Sequence, residues 1–172
     1  MSFPDATYPQ PRYHGEVGEP SATIRRADSP PDLVIRRAGT VGTRVHYLGT
    51  GATTGGDFGL YRWDMGPEQG GASPHFHRTI TESFFVLSGT MRLYDGRRWV
   101  EANAGDFLHV PPGGIHGFRN ESGAPASMLI LFTPGAPREG YFEELAAIAA
   151  EGRQLTPEEW TELYRRHDQY MV

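Results

Sequence analysis

Three histidines and one glutamate in this 172-residue chain have the types and spacing that a single metal ion would need. His75 and His77 stand two residues apart, so on a β-strand both imidazoles leave the same face, within reach of a common ion at about 2.0–2.1 Å. Glu82 opens the next apolar run after the polar Arg78-Thr79-Ile80-Thr81 connection, and a hairpin there would return its carboxylate to the same ion. His116 must arrive from far along the chain. It begins a β-rich segment just after Pro111-Pro112-Gly113-Gly114, a composition suited to a sharp reversal, and His116, Phe118 and Asn120 would share one strand face. The chain has no cysteine, so any metal must be held by imidazole and carboxylate. That donor set suits one divalent transition ion, Fe, Mn, Ni, Co, Cu or Zn, that can expand its coordination, rather than a closed structural zinc site.

These residues fall into two patterns at fixed offsets. The first is His75-Phe76-His77, four residues, Glu82, six residues, Gly89; the second is Gly105, Pro111-Pro112-Gly113, two residues, His116, three residues, Asn120. Together they resemble the two motifs of the cupin superfamily at all nine fixed positions, a coincidence with a chance on the order of 10⁻¹² if each residue type occupies roughly 5% of positions. One departure stands out: the family places a glycine six residues before the first motif histidine, and here that residue is Gln69. The resemblance implies an all-β fold, the double-stranded β-helix or jelly-roll barrel, with His75, His77, Glu82 and His116 ligating the metal. The segment Phe142-Glu143-Glu144-Leu145-Ala146 also resembles the tail of small bacterial cupins described as quercetin dioxygenase-like.

A divalent ion with three neutral imidazoles and one carboxylate carries a net charge of about +1 in an apolar barrel, which attracts an anionic oxygen. The resemblance therefore implies a metal-dependent dioxygenase acting on an anionic aromatic or polyketide-like small molecule, with Glu82 doubling as proton acceptor. A non-redox isomerase, cyclase or lyase, or a ligand-binding cupin without turnover, stays open beside it. Strand alternation assigns Tyr61, Trp63, Met65, Phe84, Met91 and Phe118 to a substrate pocket, with core packing as the competing role for each. Arg62, Arg97, Arg98 and Arg119 alternate with apolar residues and are expected to face outward. His14, His46, His109 and His167 match no ligand pattern and are read as structural or surface residues.

The elements that must place these side chains follow from punctuation. Residues 1–32 hold six prolines among polar residues and read as an arm without regular structure, or as an edge strand on a neighbouring subunit. Residues 33–136 read as the barrel, with short β-branched and aromatic runs separated by glycine and proline. Strands are expected at 33–37, 43–48, 58–65, 75–77, 83–87, 90–94, 98–101, 107–110, 115–119 and 127–132, and the Gly- and Thr-rich loop 49–57 is expected to be mobile. Residues 137–172 read as a helical tail. Phe142, Leu145, Ala146 and Ala149 form one helical stripe ended by Gly152, and a second helix begins at Thr156-Pro157 with Glu159 closing a capping box, Leu155 set to staple onto Trp160, and an apolar stripe of Trp160, Leu163 and Tyr164.

Composition narrows the partners. A formal charge of −5 without long charge runs gives no footprint for nucleic acid or anionic lipid, and no basic recognition helix follows the barrel. No stretch approaches 18 apolar residues and the N-terminus lacks the order of a secretory signal, so a cytoplasmic protein with a small-molecule substrate is expected. Single-domain cupins resembling this one pair through sheet edges, which implies a homodimer.

Overall fold

The computed structural model describes residues 8–36, 42–67 and 70–172. Eleven strands and two helices occur among them: β1 Leu33–Ile35, β2 Thr43–Gly49, β3 Gly59–Met65, β4 Gly70–Phe76, β5 Thr81–Ser88, β6 Thr90–Tyr94, β7 Trp99–Asn103, β8 Phe107–Val110, β9 His116–Asn120, β10 Ala126–Thr133, α1 Arg138–Glu151, α2 Pro157–Arg166 and β11 Tyr170–Met171. The strands form two antiparallel sheets, one ordered β1-β2-β3-β10-β5-β8 and the other β11-β4-β9-β6-β7. This is the jelly-roll architecture that the strand punctuation and the motifs predict.

Period-two burial explains why these segments pair as they do. Strands β3 and β10 alternate buried and half-buried residues along their whole length, and Tyr61 and Trp63 lie across from Ile130 and Met128. Phe84 and Phe132 from the same sheet, and Met91, Leu93 and Phe118 from the other, complete the core between the layers. One-sided burial of this kind fixes register, because a slip of one residue would turn the whole set outward.

Strand β4 begins five residues earlier than the sequence suggests, since Gly70-Gly71-Ala72-Ser73-Pro74 reads as a loop. Gly71 explains the disguise: a Cβ there would lie 1.9 Å from the Phe118 carbonyl oxygen, so only glycine lets β4 approach β9 so closely. Pro74 falls within the register shift between Ala72 and His75, where the ladder does not need its missing N–H. Gln69 and Arg37 lie outside the described residues, as does the start of the arm.

The described part of the arm, residues 8–32, has neither helix nor strand and is largely exposed. It is tied to the barrel by an Arg12–Asp57 ion pair of 2.6 Å. The 49–57 loop is closed by hydrogen bonds within itself and to Gly135. Thr54 Oγ1 donates to the Thr50 carbonyl at 2.9 Å, the Gly56 amide donates to Gly51 at 2.7 Å, and Gly56 in turn accepts from the Gly135 amide at 2.8 Å.

The end of α1 and the start of α2 follow their sequence signals. Gly152 ends α1 in the left-handed conformation with φ of 63°, and the Thr156–Glu159 capping box opens α2 with bonds of 2.9 and 3.2 Å. Phe142 anchors α1 on the barrel, with edge-on ring contacts at 5.2 Å to Tyr61 and 5.1 Å to Trp63. After α2 the chain adds β11 to the free edge of β4. This short strand carries no sequence signal beyond Tyr170-Met171. No helix of the described residues is long and apolar enough to cross a membrane.

Candidate metal centre

Four side chains converge inside the barrel. His75 lies on β4 directly across from His116, the first residue of β9, with their rings 4.3 Å apart. His77 follows the end of β4, and Glu82 enters from β5 in the opposite sheet. One donor atom from each of the four lies within 4.8 Å of all the others, and none of the four residues is more than 3% exposed. The turn before β9 is built around this cluster: the Gly113 amide donates to the His77 carbonyl at 2.7 Å, from a backbone with φ of 81° that glycine adopts without strain.

The outer bonds of the three imidazoles set their chemistry. His75 Nδ1 donates to the Ser73 carbonyl at 2.8 Å, His77 Nδ1 to the Asp168 carbonyl at 2.5 Å, and His116 Nδ1 to the Gly114 carbonyl at 2.9 Å. A carbonyl oxygen can only accept, so every Nδ1 carries its proton and the lone pair of each neutral ring is at Nε2. Nε2 of His77 and of His116 each stand 2.9 Å from the same Glu82 oxygen. Two lone pairs facing one carboxylate oxygen repel unless a cation or a proton sits among them, so the donor set fits a divalent metal ion.

Electrostatics points the same way. Burial lowers the pKa of His75 to about 3, against the pull of Glu82, so this ring stays neutral and able to ligate throughout the physiological range. For Glu82, burial pushes the carboxyl up, and it is protonated His116 and His77 rings, or a cation in place of those protons, that hold the group below the usual carboxylate range. Glu82 is therefore a carboxylate at neutral pH, which suits a ligand and weakens it as a base.

The cluster opens on a cavity of about 570 Å³ between the barrel and the helical tail, with His75 and Glu82 in its wall. Of the six residues assigned to a pocket, Trp63, Met65 and Phe118 line it, whereas Tyr61, Phe84 and Met91 do not. Tyr61 is wedged among Tyr47, Phe132 and Phe142, with its hydroxyl bonded to Glu139. Phe84 backs His116 and Phe118 at 5.8 and 5.7 Å, and Met91 is fully buried across from Ala102. Alternation finds the inward face of a strand but not the depth along it.

The remaining histidines stand apart from the cluster. His46 bonds Asp64, His109 bonds Ser83, His167 bonds Glu144, and His14 is exposed. Arg62, Arg97, Arg98 and Arg119 are all absent from the cavity wall. Asn120, the last motif residue, holds loops: its amide nitrogen donates to the Gly66 and Ala124 carbonyls, both at 2.8 Å.

Sequence reasoning missed the contributions of the tail. Arg138, Tyr141, Leu145 and Ile148 of α1, Trp160 and Tyr164 of α2, and Gln169 all line the cavity. A signal for the first existed, because continuing the Phe142–Leu145–Ala149 stripe backward by one turn lands on Arg138. Asp168 was also missed. Its carboxylate accepts from the Arg78 amide at 3.1 Å, the Thr79 amide at 2.9 Å and the Thr79 hydroxyl at 2.6 Å, so it caps the turn after His77. Replacing Asp168 with alanine is expected to cost about 2 kcal/mol, the loss of a charged acceptor shared by three donors. Metal stoichiometry should be unchanged, because His77 bonds the backbone of that residue; chemical denaturation and elemental analysis of the same samples check both halves.

With fold and site in place, residues 61–132 of the barrel match the family model described as Cupin domain. The chain is 37% identical over 70 residues to quercetin 2,3-dioxygenase of Bacillus subtilis, a match that spans 41% of this chain and only 20% of that protein. Among solved structures it is similar to the polyketide cyclase RemF of Streptomyces resistomycificus, at 26% identity and a TM-score of 0.51, covering 64% of this chain and 78% of that one. A predicted oxalate decarboxylase of Thermotoga maritima shares the fold with a TM-score of 0.56 at 18% identity, over 64% of this chain and 97% of the other.

Proposed function

We propose that this protein is a metal-dependent cupin enzyme acting as a dioxygenase on an anionic aromatic or polyketide-like small molecule. The observation that carries the reading is the buried cluster of three imidazoles and one carboxylate, two of whose members, His75 and Glu82, stand in the wall of a largely apolar cavity. Its partial likeness to quercetin 2,3-dioxygenase supports the choice of reaction. A divalent ion held by His75, His77, Glu82 and His116 would supply a Lewis-acidic charge for a deprotonated substrate oxygen. The chain's own side chains do the rest: Trp63, Met65, Phe118 and Phe142 offer flat apolar surface and exclude water, which strengthens every charge interaction inside.

The likeness to a polyketide cyclase supports a second reading, ring closure or isomerisation without oxygen. An oxygen electrode separates the two. Protein loaded with iron or manganese and given a panel of flavonols and polyketide phenols is expected to consume one dioxygen per substrate lost. Substrate conversion with no oxygen uptake would establish the cyclase-type reading instead. In the same assay Glu82→Gln tests the dual role of the carboxylate: turnover should fall by about 10²–10⁴ while the metal is retained if Glu82 accepts a proton, and unchanged turnover assigns it to ligation alone.

A further inference from the structure

Arg138 is the feature that the metal centre leaves unexplained. It is the first residue of α1, 4% exposed, and part of the cavity wall alongside Glu82 and His75. Its Nη1 donates to the His167 carbonyl at 2.7 Å and its Nη2 to Gln169 Oε1 at 3.3 Å, while the buried Nε–H has no acceptor. Among the described residues no carboxylate comes within ion-pairing distance. The two acidic groups that influence it are committed elsewhere, Glu82 to the imidazoles and Asp168 to the Arg78–Thr79 turn.

A structural explanation is weak on physical grounds. A buried guanidinium without a counterion is costly, and the first position of a helix is where the macrodipole disfavours a cation. The rings of Tyr141, Phe132 and Phe142, at 4.5, 5.2 and 5.7 Å, offset part of the cost. They do so without giving the orphaned N–H an acceptor. Once a divalent ion joins Glu82, the wall carries a formal charge of about +2, which a single phenolate or enolate oxygen does not neutralise.

We propose that Arg138 is a second substrate anchor, selecting a molecule that bears a carboxylate in addition to the oxygen directed at the metal. The proposal rests on the reading of the four-residue cluster as a metal centre. It narrows the substrate class to a small aromatic carboxylate with an acidic hydroxyl: the planar guanidinium recognises a carboxylate by paired donors, and the apolar cavity recognises the ring between the two charges.

The test uses full-length protein loaded with zinc, which avoids redox reactions of the probes, and reads affinity by calorimetry. The probes are catechol, 3,4-dihydroxybenzoate, 3,4-dihydroxyphenylacetate and 3-(3,4-dihydroxyphenyl)propionate, with the methyl ester of each acid as a neutral control. At least one acid should bind wild-type protein about tenfold more tightly than its ester. Arg138→Gln should erase that preference while leaving zinc content unchanged. Acid and ester binding the wild type within about threefold at every tether length overturns the proposal, even if Arg138→Gln fails to fold, and so does a preference that survives the substitution. Failure of the wild type to take up zinc overturns the metal-centre reading as well, so the two failures are distinguishable.

Discussion

His116→Ala protein, purified and dialysed against zinc beside the wild type, should retain less than about a tenth of the wild-type metal and gain no thermal stability from it. His116 is 1% exposed, sits directly across from His75, and shares one oxygen of Glu82 with His77. Removing it deletes one of four ligands, the one that β9 contributes from directly across His75. For wild-type protein at a free zinc concentration 1,000 times the dissociation constant, binding to the native state alone adds about 4 kcal/mol of stability. At roughly 2–4 °C per kcal/mol for a chain of this size, that is about 8–16 °C in Tm. The variant should show none of it. His109→Ala is the control, because His109 is exposed and bonds Ser83 away from the cluster; it should keep both the metal and the shift. Equal zinc content in His116→Ala and wild type would remove the basis for every chemical statement about the site.

The ligands could be read from sequence because each satisfies two constraints at once. A strand period places His75 and His77 together, and a short polar connection before Glu82 and a glycine- and proline-rich turn before His116 bring those two to the same point. Local chemistry encoded the helix ends just as plainly, in the Thr156–Glu159 box and in Gly152. What stayed hidden was long-range. Nothing near His77 announces that its Nδ1 proton goes to Asp168, 91 residues on, and nothing in Tyr170-Met171 announces a strand that exists only because β4 has a free edge. Gly70 to Pro74 reads as a loop because the residues that let two backbones come close are the same ones that usually break a strand. Arg138 is hard to read as a cavity residue because an arginine is rarely buried, although it lies on the Phe142 stripe.

Phe142→Ala should lower stability by about 3 kcal/mol, or roughly 6–12 °C in Tm, and this is the larger of the two effects expected in metal-free protein. The ring is 3% exposed and touches Tyr61, Trp63, Phe132 and Tyr141, at centroid distances of 5.1 to 6.5 Å. Because it also borders the cavity, one side of it already lacks packing partners, which places the cost near the lower end for a buried phenylalanine. Leu145→Ala, one turn along on the same stripe and only half-buried, should cost about 1 kcal/mol, so urea denaturation of both variants measures how much of the tail's attachment is aromatic. A Phe142→Ala midpoint equal to that of the wild type would mean that α1 is not part of the core. Should the loss appear, it carries a consequence for binding. Phe142 and Arg138 are four residues apart on one helix face, so the packing that secures the ring also holds the guanidinium at the cavity wall, and weakening the first should weaken retention of an anionic ligand by the second.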